Sequence, residues 1–455
     1  ASSAGWPAPT RIPAVPPSWD EIVADEGLMK AVMRSIRREE IERDDHAPWD
    51  YIRHHDVPEG FSHAEWWASL KFRRLNQRRY LPLEQKTSAS FHYVLTDKML
   101  RQCEEITRRA SGSIQLPELA TSQSDRDRYV VTSLIEEAIT SSQLEGAATS
   151  RKVAKQMIRS GRRPATRGER MIANNYLAMQ LIQDWRDEAM SPSRLLELHE
   201  VVTAGTLDDP GEAGRLQSPG EQRVAVYGDE EQILHVPPPA EELPSRLAAV
   251  CSFANAIDQV EGQYVPAPVR AIVLHFMMGY DHYFADGNGR TARALFYWCM
   301  LRNGYWLTEY VTISRILKHA PAKYARSFLL SEDDDGDLTH FIHEQLAVFL
   351  RALDELEDYL TRKSREIREL KAVVDRSYRD LNHRELAILD RAIRDDGAEF
   401  TVTSHSVSHR ISPETARLDL LDLESRGLLT KARRGKRFVW TPVPGATAAL
   451  ASARG

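Results

Sequence analysis

Apolar residues recur at helical spacing along most of this chain. Val131, Leu134, Ile135, Ala138 and Ile139 form one stripe, and Ala267 to Tyr280 forms a second, strongly apolar segment. The first stripe predicts a helix stopped by Gly146. Farther on, Leu346, Phe349, Leu353, Leu356, Leu360, Ile367, Leu370 and Val374 recur at threes, fours and one gap of seven, which predicts a long amphipathic connector. Packing of that connector on the preceding domain is favoured over helix pairing in a homodimer. Period-two alternation is confined to short runs. Arg223 to Pro239 reads as two β-like runs around Gly228-Asp229 ending in polyproline, hence a hairpin. Residues 382–442 hold two short helical patterns, then a helix started by Ser412-Pro413 and stopped by Gly427, then short strands around Lys431 to Arg437.

These elements predict a mainly α-helical protein in successive segments: a proline-rich arm (1–19), an N-terminal helical region of unassigned role (20–112), a central domain (113–350), a connecting helix (351–381), a small C-terminal domain (382–445) and a tail (446–455). Prolines at 7, 9, 13, 16 and 17 predict an extended arm. Region 20–112 carries Trp66-Trp67 and the basic run Lys71 to Arg79. Aromatics beside basic residues can contact nucleic acid, but on a helix they more often turn the tryptophans inward and the cations outward.

Composition narrows the classes. With 455 residues, 42% of them hydrophobic, and a net charge of −6, the chain suits a globular protein of two or three domains. No apolar run approaches a membrane span, and the N-terminal stretch lacks the basic-then-apolar order of a secretory signal, so a cytoplasmic location is expected. Cys103, Cys251 and Cys299 have no metal-like spacing and read as reduced, buried thiols.

Chemistry concentrates in His282-Tyr-Phe-Ala-Asp286-Gly-Asn-Gly-Arg290-Thr-Ala-Arg293. A tight turn here opens a helix. Gly287 and Gly289 let backbone N–H groups converge on an anion, and the positive end of the helix dipole adds attraction. Arg290 and Arg293, three apart, can offer guanidinium forks to a di- or triphosphate tail. Asp286 is a hard oxygen donor suited to Mg²⁺ completed by phosphate oxygens. His282 can accept a proton from an attacking hydroxyl near neutral pH. The set points to nucleotidyl or phosphoryl transfer.

The same residues resemble the motif of Fic-domain proteins, His-x-Phe-x-Asp/Glu-Gly-Asn-Gly-Arg-x-x-Arg, at every specified position, including Phe284. Tyr283 stands where the family often has proline. The resemblance implies transfer of AMP from ATP to a Ser, Thr or Tyr hydroxyl of a target protein. It assigns His282 as general base and Asp286 as Mg²⁺ ligand. Gly287, Asn288 and Gly289 become the α-phosphate anion hole, and Arg290 and Arg293 the β- and γ-phosphate grip. Upstream, Ser141-Ser-Gln-Leu-Glu145-Gly146 resembles the Ser/Thr-x-x-x-Glu-Gly/Asn inhibitory motif, whose glutamate pairs with the second arginine. A glutamate at a helix C-terminus opposes the dipole and invites a cation, for which Arg293 is the candidate. The hairpin resembles the family's flap, which docks a target segment as an added strand. Gly214-Arg215 and Leu195 to His199 are weaker matches.

The C-terminal order resembles a winged helix, with Lys431 to Arg437 as a basic wing suited to phosphate contacts. Asp419, Asp422 and Glu424 on its presumed recognition helix argue against DNA, leaving DNA and protein as equal candidate partners. Three alternatives stay open: removal of AMP at the same site with Glu145 positioning water, transfer of another nucleotide moiety, and a winged-helix regulator whose Fic-like domain only senses nucleotide.

Overall fold

The computed structural model describes residues 12–36, 46–111, 123–223, 226–227, 233–256, 262–377, 381–394, 398–434 and 437–443. Much of the proline-rich arm, the tip of the Arg223–Pro239 hairpin, the centre of the basic wing and the tail 446–455 lie outside these residues. Side chains of 123–130 and 366–377 also lie outside the description, Ile367, Leu370 and Val374 among them.

Four helices open the chain: α1 (Trp19–Ala24), α2 (Glu26–Ile36), α3 (Trp49–Ile52) and α4 (His63–Leu75). Capping boxes start α1 at Ser18/Glu21 and α4 at Ser62/Glu65, each satisfying two orphan backbone donors. Their small core gathers Ile22, Val32, Ile52, Trp67, Ala68 and Leu70. Residues 12–18 lie against it, with Pro13 and Pro16 buried and the Pro17 carbonyl accepting from Trp67 Nε1 at 3.1 Å.

Two sequence expectations fail in this region. Lys71 and Arg74 are turned inward: Lys71 pairs with Asp334 and, at 2.8 Å, with Asp335, while Arg74 lies over the Trp67 ring at 5.3 Å. The stretch is also not helical throughout, because Arg78–Glu84 and Ser90–Val94 form an antiparallel pair, β1 and β2. Alternation sends Leu81, Leu83, Phe91 and Tyr93 into the main core, and α5 (Asp97–Ala110) follows them there through Met99, Cys103 and Ile106.

The main core is built by α8 (Arg167–Asp184), α9 (Pro192–Thr203), α10 (Leu243–Asn255), α11 (Ala267–Asp281), α12 (Asn288–Arg302), α13 (Ile313–His319), α14 (Pro321–Glu332) and the first part of α15 (Thr339–Ser377). Every residue of α11 is buried, the outcome expected for a helix apolar on all sides. It packs beside α12, and Leu346, Phe349, Leu353, Leu356 and Leu360 of α15 complete the same core. Before these, α6 (Gln123–Leu144) and α7 (Arg151–Ser160) share a separate cluster with α8: Val131, Ile135, Ala138, Ile139, Ala154, Met157, Met171 and Ile172. Strands β3 (Val226–Tyr227) and β4 (Ile233–His235) pair antiparallel between α9 and α10.

After α15 come α16 (His383–Arg394), α17 (Val402–His409), α18 (Pro413–Ser425), β5 (Leu429–Arg434) and β6 (Arg437–Pro442), around a core of their own that includes Leu389, Phe400, Leu420, Leu423, Leu428 and Trp440. Phe400 exchanges two 2.8 Å backbone bonds with Trp440. This module leans on α6 and α7 through α17. Of the acidic residues of α18, Asp419 turns inward, while Glu414 is exposed and Asp422 is more than a third exposed. Asp419 is buried against Arg384 (2.6 Å) and His405 (2.8 Å), Asp422 bonds Arg426, and Glu424 accepts from Trp440 Nε1. No described helix is long and apolar enough to cross a membrane.

Candidate active site

The turn between α11 and α12 is made by two left-handed residues. His282 ends α11 at φ 48°, and Gly287 caps α12 at φ 89°. Glycine is required at 287 twice over, since a Cβ there would also lie 2.6 Å from Thr203 Cγ2. Just after them Asn288 closes the loop on itself: its Oδ1 accepts from Phe284 N at 3.1 Å and its Nδ2 donates to Phe284 O at 2.7 Å. Phe284 is buried and stacks on the His199 ring, 3.6 Å between centroids and 6° from parallel. His199 Nε2 donates to the Asp286 carbonyl at 2.8 Å while its Nδ1 accepts from Gly214 N at 3.0 Å, which fixes the neutral tautomer. Burial pushes this imidazole down to about 4, in keeping with that state.

His282 is buried, its Nδ1 lies 3.4 Å from the Gly279 carbonyl, and its Nε2 has no hydrogen-bond partner among the described residues. Burial, helped by nearby His235, holds the imidazole down at about 4. A neutral ring with a free nitrogen in a closed site is a proton acceptor waiting for a donor.

Gly287, the residue before α12, has no side chain with which to cap the first N–H groups of the helix. Above it sits the Glu145 carboxylate. A Cβ added to Gly289 would be 2.2 Å from Glu145 Oε1, so the carboxylate fills the space over the helix start. Such a position is favourable to any anion. Glu145 Oε1 accepts from Arg293 Nη2 at 2.8 Å, and Arg293 also donates through Nε to Ser141 Oγ (2.8 Å) and through Nη2 to Ser141 O (3.1 Å). Burial disfavours the Arg293 charge, but Glu145, Tyr324 and Glu137 together more than offset it, raising the guanidinium above its ordinary value. Gly146, at φ 87°, ends the segment.

Arg290 is also fully buried but points beneath the loop, donating to the Val202 carbonyl at 3.1 Å. Asp286 is the outward member. Its side chain is 39% exposed, its Oδ1 accepts from Gly287 N at 2.5 Å and lies 3.5 Å from Arg290 Nη2, and its Oδ2 lies 3.8 Å from Arg167 Nη2. No group of three metal-ligating side chains exists among the described residues. A divalent cation at Asp286 would therefore draw its other ligands from phosphate and water, which suits Mg²⁺.

His282, Asp286 to Gly289, Arg293, Ser141, Glu145 and Gly146 are thus drawn into one place, with Arg290 beneath it. Sequence reasoning met His199 only as the end of the weaker Leu195 to His199 match, without a role, and overlooked Thr203 as a loop support. It also overlooked Asp281, buried and raised to about 6 chiefly by that burial, which is held by Arg246 (3.0 Å) and Tyr283 (2.5 Å).

The Fic/DOC family profile matches residues 189–300. The chain is 28% identical over 171 residues to a protein adenylyltransferase Fic of Culex quinquefasciatus, covering 37% of this chain and 29% of that protein. It is 31% identical over 134 residues to a protein adenylyltransferase Fic of Nematostella vectensis, covering 29% and 27%. The alignments thus span less than a third of each curated relative's length. A solved Fic family protein from Desulfovibrio desulfuricans G20 aligns over 77% of this chain and 98% of its own, at 20% identity and TM-score 0.46.

Proposed function

We infer that the Fic domain at residues 189–300 makes this chain a protein adenylyltransferase, which moves AMP from ATP to a Ser, Thr or Tyr hydroxyl of a target protein. The observation that carries the reading is the partnerless Nε2 of buried His282 beside a helix N-terminus already occupied by a carboxylate. His282 Nε2 takes the hydroxyl proton as the oxygen bonds to the α-phosphorus, and the bond to pyrophosphate breaks. Gly287, Asn288 and Gly289 supply backbone donors to the α-phosphate, and Arg293 binds the terminal phosphate, with Arg290 lending charge from beneath. Mg²⁺ held at Asp286 would neutralise charge on the phosphates. Glu145, with Ser141 and Gly146 shaping its approach, occupies Arg293 and the space of the terminal phosphate, so the enzyme restrains itself.

The test is label transfer. Wild type, Glu145→Gly and Glu145→Gly/His282→Ala are incubated with Mg²⁺, α-labelled ATP and cell lysate, and label on protein is followed by gel and mass spectrometry. Label in the Glu145→Gly lane alone is expected. Its absence from every lane would overturn the transfer reading and direct work to removal of AMP from modified protein.

For the C-terminal module, the inward Asp419 favours a winged helix facing duplex DNA over protein, because the wing's exposed Arg433 and Arg437 then meet no acidic face on that residue's account. Binding to random duplex that weakens steeply with salt is expected, and salt-independent or absent binding would refute it.

A further inference from the structure

A helix ends with carbonyls that have no partner within it, and here the last of them lead straight into His282. Four successive carbonyls are taken up by one segment of chain, the stretch that enters and leaves the β3–β4 hairpin. The Tyr280 carbonyl accepts from His235 Nε2 at 2.7 Å. Those of Asp281 and His282 accept from Arg223 Nη2 at 2.6 and 3.1 Å. The Tyr283 carbonyl accepts from Gln217 N at 3.0 Å. Arg223 also donates through Nε to Pro238 O at 2.8 Å and through Nη1 to Gln217 Oε1, so one guanidinium joins both ends of the hairpin to the loop. His235, the last residue of β4, presents its other nitrogen to Glu332 of α14 at 2.7 Å. His282 meanwhile sits in a left-handed conformation that a non-glycine side chain rarely adopts, so it persists only where its surroundings determine it.

We propose that Arg223 and His235 are positioning residues for the base: they fasten the hairpin to the backbone of residues 280–282, and through it set the direction of His282 Nε2. The proposal rests on the transferase reading, since only there does that direction matter to a reaction. It also makes the hairpin and the base a single mechanical unit. Arg223 is the harder of the two to replace, because its planar fork serves two neighbouring carbonyls and Pro238 together, a geometry an ammonium does not reproduce.

The experiment compares Glu145→Gly with Glu145→Gly carrying Arg223→Lys, Arg223→Ala or His235→Gln. Three quantities are read: label transfer from saturating α-labelled ATP, ATP affinity by calorimetry, and amide hydrogen exchange of the peptide spanning 279–286 against peptides of α8 and α15. Arg223→Lys should lower transfer roughly 10- to 100-fold, the scale of a misplaced reacting group, with ATP affinity unchanged. Exchange should quicken in 279–286 and not in the reference helices. His235→Gln, whose amide can still donate to the Tyr280 carbonyl, should keep most of the transfer. Full transfer in Arg223→Lys, or a loss matched by weaker ATP binding and faster exchange throughout, overturns the proposal. Arg223→Ala that fails to fold leaves the lysine and glutamine variants to decide. If Glu145→Gly itself transfers no label, the adenylyltransferase reading falls separately, and unchanged exchange in 279–286 then refutes the tether alone.

Discussion

Glu145→Gly should raise activity and lower stability at once. The Arg293 and Glu145 side chains are 3% and 14% exposed, so their 2.8 Å contact is little screened by solvent. Removing the carboxylate leaves Arg293 with the hydroxyl and carbonyl of Ser141 and takes away one charge-assisted bond. That loss is worth about 1.5–3 kcal/mol, and the vacated helix start adds a few tenths to about 1 kcal/mol. For a domain of 150–250 residues, each kcal/mol moves the melting temperature by about 2–4 °C, so a fall of roughly 4–16 °C is expected without nucleotide. Saturating Mg·ATP should narrow the gap. A ligand at a hundred times its Kd adds about 2.7 kcal/mol, and the variant receives this in full, whereas in wild type the nucleotide must first displace the carboxylate. Thermal denaturation of both proteins, with and without Mg·ATP, alongside label transfer, makes the assay. Equal melting, equal nucleotide shifts and equal transfer would show that the Glu145–Arg293 contact restrains nothing.

Burial holds His199, His275 and His282 down to about 4, 3 and 4. The unfolded chain takes up a proton at each near pH 6.5 while the folded chain does not. Their stabilising effect is therefore complete above about pH 6.5 and drains as pH falls toward 4, by up to about 1.4 kcal/mol per group per unit. The melting temperature should drop steeply between pH 6.5 and 5, and a flat profile there would refute this accounting. Asp286→Asn should leave the fold intact and shift the magnesium dependence of ATP binding to higher concentration; an unaltered magnesium titration removes Asp286 from the metal site. Asp419→Ala takes a buried carboxylate away from half-buried Arg384 and from His405, a loss of about 1.5–3 kcal/mol for a charge-assisted bond. Since the C-terminal module has its own core, calorimetry should show a new low-temperature transition with the main one unmoved, and a single unaltered transition would count against its independence.

The candidate site was legible because it is local. A dozen consecutive residues hold His282, Asp286, the turn and both arginines, and a helix stripe ending at Gly146 put Glu145 at a helix end, where the structure pairs it with Arg293. What escaped the sequence depends on partners far along the chain or on backbone atoms. Lys71 was read as a surface charge because Asp334 and Asp335 lie more than 260 positions away, with nothing in the basic run to announce them, and Arg74 because its partners are the Trp67 ring and the Ala47 carbonyl. The β1 strand shows alternation at Leu81 and Leu83, but Arg78 and Arg79 at its start blend into the basic helix before it. His199 and Arg223 bond to main-chain carbonyls, which every residue possesses, so composition gives no sign of them. Asp419 misled for the converse reason, since its neutralising partners come from α16 and α17.

The carboxylate over Gly289 reaches its place on the same chain that carries the site, and this sets the terms of any competition. A free inhibitor is lost on dilution; a tethered one keeps a local concentration fixed by the length and stiffness of its link, on the order of millimolar even for short flexible tethers. Here the link is the end of a helix packed in its own apolar cluster, so the occupant does not wander. On the proposed reading, a nucleotide entering this site would contend with a rival whose concentration is a constant of the molecule, identical in every copy and indifferent to how much protein the cell contains.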